Sequence, residues 1–191
     1  AANAPAIKLS ESVGDLKCGR GGACIALLLG GTSTNAKVSA LSSTDGGRTW
    51  AAAPRFGSIG DQQEWRFDCG DARNCVVTGN NGNLAWIRAG HGGHITIRVQ
   101  PYPKSWPQSG DDIGCATGRD CFIEVTNIIG GMDYPDNVIE VTHDGGRTWA
   151  AAMKTPIAST FLSCPVRRGC IAVAPKNASD LVVLSNLRPA G

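Results

Sequence analysis

Ser43-Thr-Asp-Gly-Gly-Arg-Thr-Trp50 and Thr142-His-Asp-Gly-Gly-Arg-Thr-Trp149 are near-copies of one octapeptide, and each runs on into Ala-Ala-Ala. Each also follows a short apolar stretch, Val38 to Leu41 and Val138 to Val141. Apolar residues leading into an Asp-Gly-Gly cluster read as a strand that enters a hairpin turn. Asp45 and Asp144 can accept hydrogen bonds from turn amides, as Asx side chains do. The paired glycines permit positive φ in the turn. Trp50 and Trp149 bring a large apolar face to cover it. The octapeptide therefore reads as a folding device and not as a catalytic one.

A second repeat runs in phase with the first. The eight cysteines fall into four pairs, Cys18 with Cys24, Cys69 with Cys75, Cys115 with Cys121 and Cys164 with Cys170. All are C-x5-C, and successive pairs start 51, 46 and 49 residues apart. One spacing used four times selects four local bridges, each joining two strands across a tight hairpin. Facing residues on paired strands bring Cα atoms to about 4.5–5.5 Å, which a disulfide accepts. A zinc site would favour C-x2–4-C with histidine partners. The three histidines, His91, His94 and His143, stand apart from the pairs, so no metal is expected. Four bridges imply an oxidising compartment. The start at Ala1-Ala2-Asn3-Ala4 fits a mature chain whose signal peptide is gone. A secreted or periplasmic location is expected.

Composition agrees with a turn-rich β protein. Glycine is 25 of 191 residues, nearly twice the usual share of about 7%. Hydrophobic residues make up 42%, enough to bury a core. The net charge of +2 argues against nucleic acid or a polybasic membrane contact. The longest apolar run, Ile25 to Leu29, is far below the ~20 residues a bilayer span needs.

Together Ser43, Asp45, Gly47, Thr49 and Trp50, with Thr142, Asp144, Gly146, Thr148 and Trp149, spell S/T-x-D-x-G-x-T-W. The chain thus resembles the Asp-box, or bacterial neuraminidase repeat, β-propeller family. The combination with C-x5-C is also similar to sortilin-type and photosystem-assembly-type propeller repeats. A period of 46 to 51 residues matches a four-stranded propeller blade. The expected fold is a single all-β domain, a small four-bladed propeller with one disulfide per blade. Its blades span about 15–53, 65–100, 112–153, and 160–187 joined by 6–10. Within a blade, strand A ends at the first cysteine, strand B starts at the second, and the box connects strands C and D. The second blade lacks a box, and Gly90 to Ile95 is aligned with Thr44 to Thr49. The fourth blade ends after strand C, so Ala6-Ile7-Lys8-Leu9 is expected to close the ring as its outer strand. A half-ring completed by a second chain is the alternative, with a closed monomer preferred.

Blade connectivity puts the disulfide hairpins and boxes on one face and the long B–C and D–A segments on the other. Binding residues usually sit in such long loops. The candidates are Tyr102, Lys104 and Trp106 in the proline-rich stretch 101–107, then Asp133, Tyr134 and Asp136, with Trp65. Rigid aromatic anchors on a stiff loop suit a protein partner, with a glycan as the second reading. Sialidases, as the resemblance implies, are six-bladed and about twice as long, and use a Tyr–Glu nucleophile pair. Here the tyrosines are Tyr102 and Tyr134 and the glutamates Glu11, Glu64, Glu124 and Glu140, with no Arg-Ile-Pro-type motif before the first box. A glycosidase pair would have to come from Asp61 or Glu64 with Asp111 or Asp112. No cofactor motif is present. The sequence is read as a non-enzymatic binding or scaffold module that engages a protein partner through its long-loop face. A lectin-like or glycoside-processing domain is the alternative.

Overall fold

The structure, a computed structural model, describes residues 12–19, 21–32, 35–52, 66–78, 83–90, 94–103, 110–125, 128–129, 132–133, 137–155, 161–164, 170–175 and 181–187. Every regular element among them is a β-strand. The first sheet holds β1 (Ser12–Cys18), β2 (Cys24–Thr32), β3 (Asn35–Ser43) and β4 (Ala51–Ala52), in that order. The second holds β5 (Arg66–Asp71), β6 (Asn74–Thr78), β7 (Asn83–Ala89) and β8 (Ile95–Pro101). In the third, β9 (Gly110–Cys115) and β10 (Cys121–Val125) precede a small hairpin, β11 (Ile128–Ile129) with β12 (Met132–Asp133). The sheet is completed by β13 (Asn137–Thr142) and β14 (Ala150–Thr155). The fourth sheet has three strands, β15 (Phe161–Ser163), β16 (Cys170–Pro175) and β17 (Leu181–Leu187). All pairings are antiparallel. The N-terminal strand expected at residues 6–10 lies outside the described residues.

Each C-x5-C pair is bridged as its spacing implies: Cys18 to Cys24, Cys69 to Cys75, Cys115 to Cys121 and Cys164 to Cys170. In the first three sheets the two cysteines stand directly opposite in register, at the mouth of the hairpin. Their Cα atoms are closer than the 4.5–5.5 Å expected for facing residues, at 4.1 Å in the first bridge and 4.0 Å between Cys69 and Cys75. In the second sheet the register shifts just past Cys69, so that Asp71 pairs with Asn74. Each bridge therefore closes a loop that the strand pairing already holds short. In the chain-entropy model so small a loop contributes only about 2 kcal/mol.

The sheets stack face to face in chain order. Ile25, Leu27, Val38 and Ala40 of the first pack against Cys69, Val77, Ala85 and Ile87 of the second. Val76 and Leu84 on the other side of the second sheet meet Ile113, Ile123 and Val125 of the third. Phe122 and Ile139 then meet Leu162 and Ala172 of the fourth. So the residue after each second cysteine faces the following sheet, and the next residue faces the preceding one. Sheets covered on both sides lose the polar alternation of a half-exposed strand. Accordingly Cys75 to Thr78 and Cys121 to Val125 are buried at every position.

The inner strands are tied laterally by carboxylates and by missing side chains. Asp68 on β5 accepts the Lys17 ammonium at 3.2 Å and the Cys115 amide at 2.7 Å, which links three sheets. Asp112 on β9 does the same toward the Leu162 amide of β15. Burial pushes the Asp112 carboxyl up from its usual range, against the Leu162 and Ile113 amides and the Arg66 charge, which favour ionisation; the Asp68 charge also raises it. Asp112 is thus a structural tie and not a solvated loop acid. Between hairpins, a Cβ at Gly19 would meet that of Ala72 at 2.9 Å, one at Gly70 would strike the Thr117 carbonyl, and one at Gly114 would meet the Cys164 sulfur at 2.6 Å.

Gly70→Ala should therefore lower the unfolding free energy by about 2–3 kcal/mol, the upper range for overpacking. Gly21→Ala should cost less: its φ of +90° is strained for alanine, but nothing lies within 4 Å of the added carbon. Chemical denaturation of the two variants would check the order, and equal losses would mean that the hairpin stacking carries no weight.

Candidate functional site

Of the seven long-loop candidates, Trp65, Lys104, Trp106, Tyr134 and Asp136 lie outside the described residues. Asp133 ends β12, with Ile128 as its register partner. Tyr102 corrects the expectation of a displayed ring: it is 9% exposed and packs with Val76, Leu84, Ile113 and Ile123 between the second and third sheets. The physical reason is position. Pro101 is the last residue of β8, paired with Asn83, and the chain must then pass to the next sheet across the apolar seam. An aromatic residue at that crossing is used as core. Asp61 and Glu64 are outside the described residues, and Asp112 is taken up by backbone amides, so no glycosidase pair is assembled among the described residues. Glu124 and Glu140 are buried in the third sheet.

The opposite face, of hairpins and boxes, is well described. In the first box the Ser43 hydroxyl donates to Asp45 Oδ1 at 2.8 Å and accepts the Gly47 amide at 2.8 Å. Asp45 then accepts the Thr49 amide at 2.9 Å and the Thr49 hydroxyl at 2.6 Å, while Trp50 Nε1 donates to the Gly47 carbonyl at 3.0 Å. The second box repeats every contact: Thr142 to Asp144 at 2.8 Å, Gly146 amide to Thr142 at 2.9 Å, Thr148 amide and hydroxyl to Asp144 at 3.0 and 2.7 Å, Trp149 to the Gly146 carbonyl at 3.2 Å. The glycine pairs adopt φ of 75° and 85°, and 78° and 91°, which a side chain at either would strain. The Thr49 and Ser43 hydrogen bonds pull Asp45 from 3.8 down to about 2. For Asp144 burial opposes ionisation, but the bonds from Thr148, Thr142 and Arg147 outweigh it, again giving about 2. These acids are held ionised as acceptors and have no proton to offer near neutral pH.

The boxes also clip the disulfide hairpins. The Gly46 amide donates to the Gly22 carbonyl at 2.7 Å and the Gly145 amide to the Arg119 carbonyl at 2.9 Å, each carbonyl being four residues past a first cysteine. In the second sheet the corresponding carbonyl, that of Arg73 four residues past Cys69, takes the Ala89 amide at 2.7 Å. Register corrects the alignment drawn from sequence. Ile87 faces Cys75 as Ser43 faces Cys24 and Thr142 faces Cys121, so Gly90 stands where Gly46 does, not where Thr44 does. The turn after β7 is also shorter than a box. His143 is exposed and has Nδ1 3.0 Å from Asp120 Oδ1, whose other oxygen accepts the Thr117 hydroxyl at 2.6 Å.

Where the third sheet's box docks on the box-less second sheet, a cavity of about 570 Å³ opens. Gly146 packs against Val76 and Trp86, and its carbonyl accepts Gln100 Nε2 at 2.6 Å. Arg88 from β7, Arg119 from the disulfide hairpin and Arg147 from the box all line the cavity, with Trp86, Asn74 and Thr117. The Arg147 guanidinium lies 5.4 Å from the Trp86 ring centroid, a cation–π distance. Two acids also border the cavity, and each accepts donors from its own turn. Asp71 accepts the Arg73 and Asn74 amides and the Asn74 side chain, and Asp144 serves its box. Sequence reading did not single out these arginines. Arg147 was visible only as a repeat residue, and nothing in the sequence said that Arg88 and Arg119 would join it. No family model matches the chain, and no curated protein matches it.

A carboxylate held low contributes stability that is full above about pH 4 and is lost as the pH falls through about 2. The wild-type unfolding free energy should fall across that window, and the fall should shrink in the Asp45→Asn, Asp144→Asn double variant. Asp144→Ala should cost about 1–2 kcal/mol at pH 7 after allowance for solvent screening. Asp45→Ala should act in the same direction. Denaturation at stepped pH would check this, and an unchanged acid slope in the double variant would remove the boxes from the acid response.

Proposed function

We propose that the four sheets are the blades of a four-bladed propeller, and that this propeller is an extracytoplasmic, non-enzymatic module that binds a protein partner through its long-loop face. The support for a ring is the constant use of faces. Each junction between sheets is made the same way, which leaves one apolar face at either end. On the first sheet that face is Ala26, Leu28 and Leu41, which are already buried with Trp50 packed against them, while Val13 and Leu16 of β1 are 54% exposed. On the fourth, Ile171 is 37% exposed, although its counterparts Ile25, Val76 and Phe122 are all buried. A closed ring would account for the buried part of the first face and would bring Ile171 toward the exposed Val13 and Leu16. The four disulfides favour an oxidising compartment, and among the described residues no helix is long and apolar enough to cross a membrane.

The observation that carries the binding reading is the employment of the acids. Asp45, Asp68, Asp71, Asp112, Asp120 and Asp144 each hold a turn or tie two strands. A glycosidase-type carboxylate pair needs acids that are free to take and give a proton, and these described acids are not.

Closure is tested by Leu16→Asp and Ile171→Asp. In a self-closed ring each should lower the melting temperature by several degrees while light scattering still reports a monomer. A wild-type dimer that either substitution dissociates would mean that a second copy completes the array. Two monomeric variants with unchanged melting would leave the array open and overturn the ring.

Binding is tested with a variant in which Lys104, Trp106, Tyr134 and Asp136 are all alanine. Protein captured from the native extracellular fraction should be identified, purified and titrated against both chains. A loss of about tenfold or more, the scale of an interface hot spot, is expected with the fold intact by circular dichroism. Equal affinity for both chains, or binding only on a glycan array, would refute the protein-partner reading.

A further inference from the structure

The cavity between the second and third sheets lies on the hairpin side, away from the long loops, and is independent of ring closure. Its three guanidiniums come from three separate elements, are exposed, and among the described residues none is in an ion pair. The Lys17–Asp68 and His143–Asp120 ion pairs use other residues. Unpaired cations normally spread apart to stay hydrated, since like charges at short range repel. Here a strand, a disulfide loop and a box turn hold them around one concave space, with Arg147 stacked on Trp86. The neighbouring acids Asp71 and Asp144 are each engaged by donors of their own turns, and neither is ion-paired with an arginine among the described residues.

The convergence is not a by-product of the repeat. Arg48 holds the place of Arg147 in the first box and stands outside this cavity, on the first sheet. The residue matching Arg88 in the first sheet is Thr44, and in the third it is His143. A cavity of this size also falls in the range of small-ligand sites.

We propose that this cavity is a binding site for a tetrahedral oxyanion, a phosphate or sulfate ester. A carboxylate presents two oxygens in one plane, whereas a tetrahedral oxyanion presents three outward oxygens in different directions, each able to take charge-assisted hydrogen bonds. Three arginines on three separate elements around one cavity suit the second shape.

The test is isothermal titration of the intact, oxidised protein at about pH 7.5 and low ionic strength, where screening is weak. Inorganic phosphate, inorganic sulfate and acetate are the first probes, and glucose 6-phosphate and glucose 6-sulfate then separate the two ester sources. Phosphate or sulfate should bind more tightly than acetate, with affinity falling as salt rises. Arg88→Gln and Arg119→Gln should each weaken binding about tenfold, as expected for a lost hydrogen bond between charged groups. Arg48→Gln, the same chemistry outside the cavity, should leave it unchanged. Thermal melts establish that the variants fold, and Arg88→Lys should recover part of the affinity if charge at that position matters. Absence of heat with phosphate and sulfate at millimolar concentration, acetate bound as tightly, or an equal loss in Arg48→Gln would each overturn the proposal.

Discussion

A sheet that is apolar on both faces cannot stand alone, and the rest of this architecture follows from that constraint. The second and third sheets satisfy it with a neighbour on either side. Their middle strands can then be continuous apolar runs, with Val77, Leu84 and Ile123 fully buried. Burying such side chains contributes about 1.5–3 kcal/mol each, and many of them together outweigh the short-loop disulfides. The bridges keep each hairpin narrow, and the stacking supplies most of the cohesion.

Stacking sheets through their inner strands brings backbone toward backbone, and two devices make that tolerable. Glycine at positions 70 and 114 removes the carbon that would strike the next sheet. Asp68 and Asp112 then give the amides of Cys115 and Leu162 an acceptor across the junction. Without such acceptors the edge amides would lose water and gain nothing, at a cost of about 1–3 kcal/mol apiece. For Asp112 the arrangement is a compromise. Burial disfavours its charge, and two amides offset part of that cost.

The repeat, the hairpin bridges and the turn chemistry of the boxes were legible in the sequence, because each depends on residues close together along the chain. Cys18 and Cys24, like Cys69 and Cys75, must meet across a short hairpin, and Asp45 can reach only its own turn. Tyr102 was misread for the opposite reason. Prolines on either side suggested a displayed ring, but whether an aromatic side chain at a crossing lies in or out depends on the sheet beside it. The turn after β7 was misaligned by two residues, since without a box only strand register fixes the correspondence. The arginine cavity was invisible for the same reason as Tyr102: its members are far apart in sequence and converge only when one sheet docks on another.

Such convergence decides where function can arise in a repeated fold. Identical junctions would present identical surfaces, and a stack of equal repeats would bind the same ligand everywhere or nowhere. The second sheet differs from the first and third in having a turn shorter than a box between its last two strands. The third sheet's box, carrying Arg147, leans onto Trp86 of that sheet. The short turn, meanwhile, leaves no box of the second sheet to cover Arg88. The cleft thus lies at the junction where one of the two sheets lacks the folding device. The other repeats keep the array rigid while that junction departs from the pattern.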